Sequence, residues 1–115
     1  MSFSSQTSSK EVHNQLLDKL EKVKKNLYSG ENSKRACIFI DDVNMPETDS
    51  CGTQMPIELL RQIVDYNGMY HRETREWSRL ENTTMICAAA PPGGGRKELT
   101  SRFTRHFNMI CMPPT

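Results

Sequence analysis

The run Ala36-Cys37-Ile38-Phe39-Ile40 ends abruptly in the adjacent carboxylates Asp41 and Asp42. A short continuous apolar run with β-branched and aromatic members predicts a strand buried on both faces, the pattern of a central parallel strand in an α/β sheet. A strand with one wet face would alternate polar and apolar residues instead. The two carboxylates then fall at the carboxyl end of that strand. Ligands of open α/β sheets bind in the crevice outside those ends, and two carboxylates there suit a hydrated Mg²⁺ carrying a nucleotide phosphate. The same residues also fit a strand that simply leaves the core into a polar turn.

Composition narrows the function classes. Fifteen Lys and Arg against fourteen Asp and Glu give a net charge of +1 over 115 residues. That balance offers no stripe that could follow a phosphate backbone, so no nucleic-acid partner is expected. With apolar residues at 36%, charged residues at 25% and a mean hydropathy of −0.66, the chain is one domain or part of one, with a modest core. No apolar stretch approaches the roughly 20 residues of a membrane span, and MSFSSQTSSK lacks the apolar centre of a secretory signal. An intracellular chain with no membrane partner is the expectation. Cys37, Cys51, Cys87 and Cys111 are scattered without a C-x-x-C pair, and His13, His71 and His106 are equally dispersed. No zinc site is read from them.

The remaining elements follow from periodicity. Phe3 to Gln6 predicts a short strand, and Ser8-Ser9-Lys10-Glu11 has the form of a capping box. Val12, Leu16, Leu20, Val23 and Leu27 recur at helical spacing, which predicts an amphipathic helix ending at the turn Ser29-Gly30-Glu31-Asn32-Ser33. Asn44 to Gly52 is a polar loop. A second helix starts at Pro56 and runs to Tyr66, closed by Asn67-Gly68. Met69 to Arg72 and Glu76 to Leu80 predict a β-hairpin with Tyr70 and Trp77 as cross-strand aromatics. Thr84 to Ala90 predicts another buried strand, Leu99 to Arg105 a short helix, and Phe107 to Met112 a last strand before Pro113-Pro114.

Taken together, these motifs resemble one family. A strand ending DDVNMP, a helix PIELLRQIVDYNG, a hairpin MYHRETREWSRLEN, a strand ending AAAPPGGGR and then SRFTRHFN are similar to the third AAA+ module of dynein heavy chains, especially axonemal ones. SFSSQTSS with its lysine-rich helix resembles the segment just after the phosphate-binding loop of that module. The resemblance covers essentially the whole chain. It implies an α/β fold, a partial AAA+ (P-loop NTPase) αβα sandwich with an inserted β-hairpin. Residues 1–35 would supply a strand and an amphipathic helix, and 36–46 the Walker-B-like strand and loop. Residues 56–82 would supply the helix and hairpin, and 83–115 the sensor-I-like strand, the arginine-finger segment and the last strand.

The resemblance also assigns roles. The ligand of the complete module would be Mg-ATP or ADP. Asp41 would orient Mg²⁺ through a water, and Asp42 would stand where AAA+ ATPases usually carry the glutamate that activates the attacking water. Arg102 would be the arginine finger, offering charge to the phosphate bound by the adjacent module. Arg105 is a second candidate, and a surface ion pair is the alternative for both. The implied partners are neighbouring AAA+ modules of the same heavy chain and, through the whole motor, microtubules and dynein intermediate and light chains. The implied location is the cytoplasm and cytoskeleton, in the axoneme of a cilium or flagellum.

Three departures from the AAA+ pattern bear on catalysis. Asp42 is one methylene shorter than the usual glutamate, which pulls its carboxylate back from the water and predicts slow hydrolysis. Ala90 occupies the sensor-I-like position, where a methyl group cannot hydrogen-bond a water or γ-phosphate. No G-x-x-x-x-G-K-[ST] occurs in the sequence, and Gly93-Gly94-Gly95 is followed by Arg96-Lys97. The expectation is a chain without its Walker A loop and first strand, whose own first and last strands lack a neighbour. It would fold poorly and not hydrolyse ATP alone, in a module that binds nucleotide for regulation. The competing class is a short non-enzymatic product acting as an interaction module through the hairpin around Trp77.

Overall fold

Ser8 accepts a hydrogen bond from the Glu11 amide at 3.2 Å and so caps α1 (Ser9–Lys19), as the capping-box pattern predicts. The structure, a computed structural model, describes residues 1–113. Val12 and Leu16 turn inward from α1, with Leu17 packed at the edge of the core. The expected continuation of this helix to Leu27 is not observed. Leu20 is already extended, and the chain folds back as an antiparallel hairpin of β1 (Glu21–Lys24) and β2 (Leu27–Ser29). Asn26 turns it in the left-handed region at φ 60°. Leu27 and Tyr28 pair in parallel with Arg79 and Leu80, and such tertiary pairing outweighs helix propensities of roughly 0.7 kcal/mol or less per residue.

The expected strand over Phe3 to Gln6 is displaced toward the N-terminus. Ser2 forms a parallel bridge with Asp41, Phe3 N donates to Asp41 O, and Asp41 N donates to Met1 O, both at 2.9 Å. Beyond Phe3 the backbone turns, because the Thr7 hydroxyl accepts from Ser4 N at 2.8 Å and offers the chain a local alternative to the ladder.

β3 (Ala36–Ile40) and β6 (Thr83–Cys87) form a parallel pair with Ala36 opposite Thr83 and Ile40 opposite Cys87. Ile38 and Ile40 face the core, whereas Cys37 and Phe39 are exposed. Their register partners Thr84 and Ile86 are exposed beside them. The expectation of a strand buried on both faces is therefore corrected. Phe39 and Ile86 remain about half exposed, at 49% and 48%, because no described element lies over that face.

A chain segment of 47–54 leads into α2 (Met55–Tyr66), which has Pro56 in its first turn and buries Ile57, Leu60 and Ile63. Asn67 closes it at φ 53°, its amide donating to Ile63 O at 2.8 Å. β4 (Gly68–Tyr70) and β5 (Trp77–Leu80) then form the expected hairpin, Tyr70 opposite Trp77 with ring centroids 5.0 Å apart. The two hairpins join into a mixed four-stranded sheet of order β1-β2-β5-β4.

After β6 the helical turn is shorter than Leu99 to Arg105, comprising only α3 (Ser101–Thr104). Phe107 to Met112 forms no strand, and Met109, Ile110 and Met112 are exposed. A strand needs a ladder partner, and none of the described strands lies on the outer edge of β6. Pro114, expected to help stop that last strand, lies outside the described residues.

Candidate functional site

The two acids leave β3 in different directions. Asp41 continues the extended backbone, exposed, between its hydrogen bonds to Met1 and Phe3. Asp42 enters the left-handed region at φ 53°, which Asp tolerates better than most residues. The Asp41 carboxylate accommodates this turn by accepting from Asp42 N through Oδ1 at 2.9 Å. Val43 is then buried and its amide donates to Ala88 O at 3.1 Å, so the acid turn is fastened to the strand beside it.

Asn44 fixes the second wall. Its Nδ2 donates to Ala90 O at 2.9 Å and to Lys97 O at 3.0 Å. Since carbonyls only accept, this orientation of the amide is the one the geometry demands. Asn44 thereby clamps both ends of the Pro91–Arg96 loop, with Lys97 N donating back to Asn44 O at 2.9 Å. Within the loop Gly93, Gly94 and Gly95 all have positive φ, and Gly93 and Arg96 exchange two backbone hydrogen bonds at 3.0 Å. The tight turn delivers Arg96 onto Asp42, with Nη2 and Nε donating to Oδ1 at 3.2 and 3.3 Å. Ala90 sits at the foot of this loop, where its carbonyl serves the clamp and its methyl adds no polar group.

The arginine segment is held elsewhere. Arg102 is exposed and forms no ion pair among the described residues. Arg105 Nη2 lies 3.6 Å from Asp65 Oδ1, at the last turn of α2, and His106 Nε2 approaches the same oxygen at 2.6 Å. Nothing joins either arginine to Asp41 or Asp42. The structure therefore places Asp41 and Asp42 at one turn, links Ala90 to that turn only through Asn44, and leaves Arg102 and Arg105 apart from it.

All of residues 1–115 match the family described as the P-loop containing dynein motor region. The chain belongs to the dynein motor-region family. Dynein axonemal heavy chain 6 of Homo sapiens is 48% identical over 113 residues, covering 98% of this chain and 3% of that protein. Dynein axonemal heavy chain 3 of Mus musculus is 37% identical over 112 residues, covering 97% and 3%. Dynein axonemal heavy chain 12 of Mus musculus is 42% identical over 111 residues, covering 96% and 4%. The chain thus spans only about one-thirtieth of the length of these axonemal relatives.

For a dynein motor segment the donor set fits part of a Mg–nucleotide site. Asp41 is exposed and has one carboxylate oxygen committed to Asp42 N, the other without a hydrogen bond to the described residues, which suits a metal-bound water. Mg²⁺ retains several waters and takes one or two carboxylates together with phosphate oxygens. Among the described residues no cluster of three or more His, Cys, Asp or Glu could hold a metal by itself. Bound Mg–nucleotide would supply the phosphoryl group and its charge neutralisation. These residues would supply the carboxylate on the metal's water and a second carboxylate near it.

Two residues that shape the acid turn escape a reading of motifs alone. Asn44 looks like one more loop polar residue, and Arg96 like the residue that spoils a phosphate loop. The signal for Arg96 was topological. Neighbouring parallel strands bring their carboxyl ends together, so a cation in the loop that follows β6 belongs near acids just after β3.

Proposed function

We propose that this chain is part of the third AAA+ module of an axonemal dynein heavy chain. It would be a nucleotide-binding, regulatory element of a microtubule motor that works in the axoneme of a cilium or flagellum. The observation that carries this reading is the acid pair at the carboxyl end of β3, beside the glycine-rich loop after β6, in a chain whose family is the dynein motor region. In this reading the fold is a partial AAA+ αβα sandwich whose Walker A loop and first strand lie outside this sequence, and β4–β5 is an inserted hairpin. The open outer edge of β6 and the unpaired segment after Phe107 support it. The segments 1–35, 36–46, 56–82 and 83–115 are assigned to that module as divided above, except that 1–35 adds the β1–β2 hairpin and 83–115 has no last strand among the described residues.

Asp41 orients Mg²⁺ through a water in the complete module, Asp42 stands at the water-activating position, and Arg102, with Arg105 as the alternative, offers charge to the nucleotide of the adjacent module. Catalysis by these residues alone is not part of the proposal. Microtubules, intermediate chains and light chains are met through the whole motor. The test is Asp42→Glu in the native-length polypeptide. Restoring one methylene should raise single-turnover ATP hydrolysis at this site about tenfold or more, since positioning of the water limits the rate. Asp41→Ala should weaken Mg-ATP binding. An unchanged rate and an unchanged affinity would remove the reading.

A second reading, a short interaction module, rests on the hairpin face. Trp77 itself packs within the hairpin against Gly68, but its T-shaped neighbours Tyr66 and Tyr70 are 69% and 55% exposed. Exposed aromatics of this kind are enriched in contact surfaces. An immunoblot of source tissue against residues 69–80 separates the two. A band of several hundred kilodaltons supports the motor, and one near 13.2 kDa supports the module.

A further inference from the structure

Asp65 is the most heavily engaged carboxylate of the described residues. Its side chain is 12% exposed and meets two guanidinium groups and an imidazole. Oδ2 accepts from Arg61 Nη1 at 3.2 Å, while Oδ1 faces His106 Nε2 at 2.6 Å and Arg105 Nη2 at 3.6 Å. Arg105 Nε also lies 3.3 Å from His106 Nε2. One ring nitrogen cannot donate to the carboxylate and accept from the guanidinium at once, so His106 meets one partner or the other through that nitrogen. Arg61 is in turn paired with Glu58 at 2.8 Å, so it reaches Asp65 already oriented along the helix.

The segment that Asp65 grips cannot hold itself. α3 is a single turn of four residues, too short to be stable from its own hydrogen bonds. It is tied down by the buried Phe103 ring, which belongs to the core and lies 4.9 Å from Phe107 of the same segment, and by the contacts of Arg105 and His106 with Asp65 on α2. The first turn of α2 is tied as well. Gln54, its N-cap residue, donates through Nε2 to Pro46 O at 2.6 Å and Asn44 O at 3.3 Å, in the loop that follows Asp41 and Asp42.

We propose that Asp65 is the positioning residue of the arginine segment. It fixes the backbone from which Arg102 projects, and through α2 it links that arginine to the acid loop of its own module. The proposal rests on the reading of Arg102 as a finger, but the anchor and the finger can fail separately.

Amide exchange of the native-length polypeptide tests the anchor. Asp65→Asn keeps the volume and removes the charge. It should speed exchange of residues 101–107 at least tenfold while leaving residues 68–80 unchanged, and Asp65→Glu should restore most of the protection. Should Asp65→Asn unfold the chain, His106→Gln leaves the Arg61 pair intact and is read in the same way. Unchanged exchange over 101–107, or loss of protection that Asp65→Glu does not restore, overturns the proposal. ATP turnover tests the finger. Asp65→Asn and Arg102→Ala should both lower kcat several-fold without altering KM. If exchange rises while neither variant changes turnover, the anchor stands and the finger reading falls.

Discussion

Asn44 is buried with its Oδ1 unpartnered, yet its Nδ2 serves two carbonyls on either side of the glycine loop. Asn44→Ala removes both hydrogen bonds and should cost about 1–3 kcal/mol. Asn44→Asp should be worse, since a carboxylate would face two carbonyl oxygens with nothing to donate. Urea midpoints in the order wild type, Ala, Asp are expected, with part of the Asp deficit recovered at acidic pH where the carboxyl is protonated. Parity of Asp with wild type would contradict the clamp. Cys87 supplies a second test at this scale. Burial pushes its thiol up to about 11, so its thiolate is scarce at ordinary pH. Cys37, Cys51 and Cys111 are exposed and should be alkylated by iodoacetamide at pH 8 well before Cys87, as peptide mapping can show. The folded-state value lies above the ordinary 9.0, so the folded chain holds this proton more tightly than the unfolded one. Its contribution to stability is complete below about pH 9 and is lost as pH rises through about 11.

At the scale of elements, local signals were the legible ones. The Ser8 cap, the proline start and asparagine end of α2, and the pairing of Tyr70 with Trp77 all depend on neighbours within a few residues. What stayed hidden depended on distant partners. The stripe through Val23 and Leu27 looks helical until Leu27 and Tyr28 find Arg79 and Leu80, and Phe107 to Met112 looks like a strand although no described strand pairs with it. The acid pair was legible in the same local way, while Arg96, the counter-ion of Asp42, came from the loop after another strand. Gly68 tests the hairpin directly. A Cβ there would lie 2.5 Å from Ser78 O and 2.7 Å from the Trp77 ring, so Gly68→Ala must part β4 from β5. A cost of about 1–3 kcal/mol is expected from such overpacking. The fluorescence of Trp77, the sole tryptophan, should shift as its contacts with Tyr70 and Tyr66 loosen. An unshifted spectrum with an unchanged urea midpoint would mean that the strands tolerate the extra methyl.

At the scale of the whole molecule, the parallel pair β3–β6 has one covered and one open face. Phe39 and Ile86 lie on the open one, and Met109, Ile110 and Met112 add further exposed apolar groups. Contiguous apolar surface of this kind marks an interface or an aggregation hazard. The 115-residue chain by itself is therefore expected to bind an apolar dye and to self-associate at micromolar concentration. The double variant Phe39→Lys with Ile86→Lys should reduce both, by dye fluorescence and light scattering. If the variant associated as readily as the wild type, the open face would not be the cause. The parallel pairings have a further consequence, in time. Leu27 meets Arg79 and Ala36 meets Thr83 only across about fifty residues of intervening chain, and closing such loops costs entropy before any ladder bond repays it. Helices and hairpins can form as soon as they leave the ribosome, but neither sheet can close until β5 and β6 have emerged. During synthesis the edge of β3 that β6 will pair must wait open until Thr83 and its neighbours have been made.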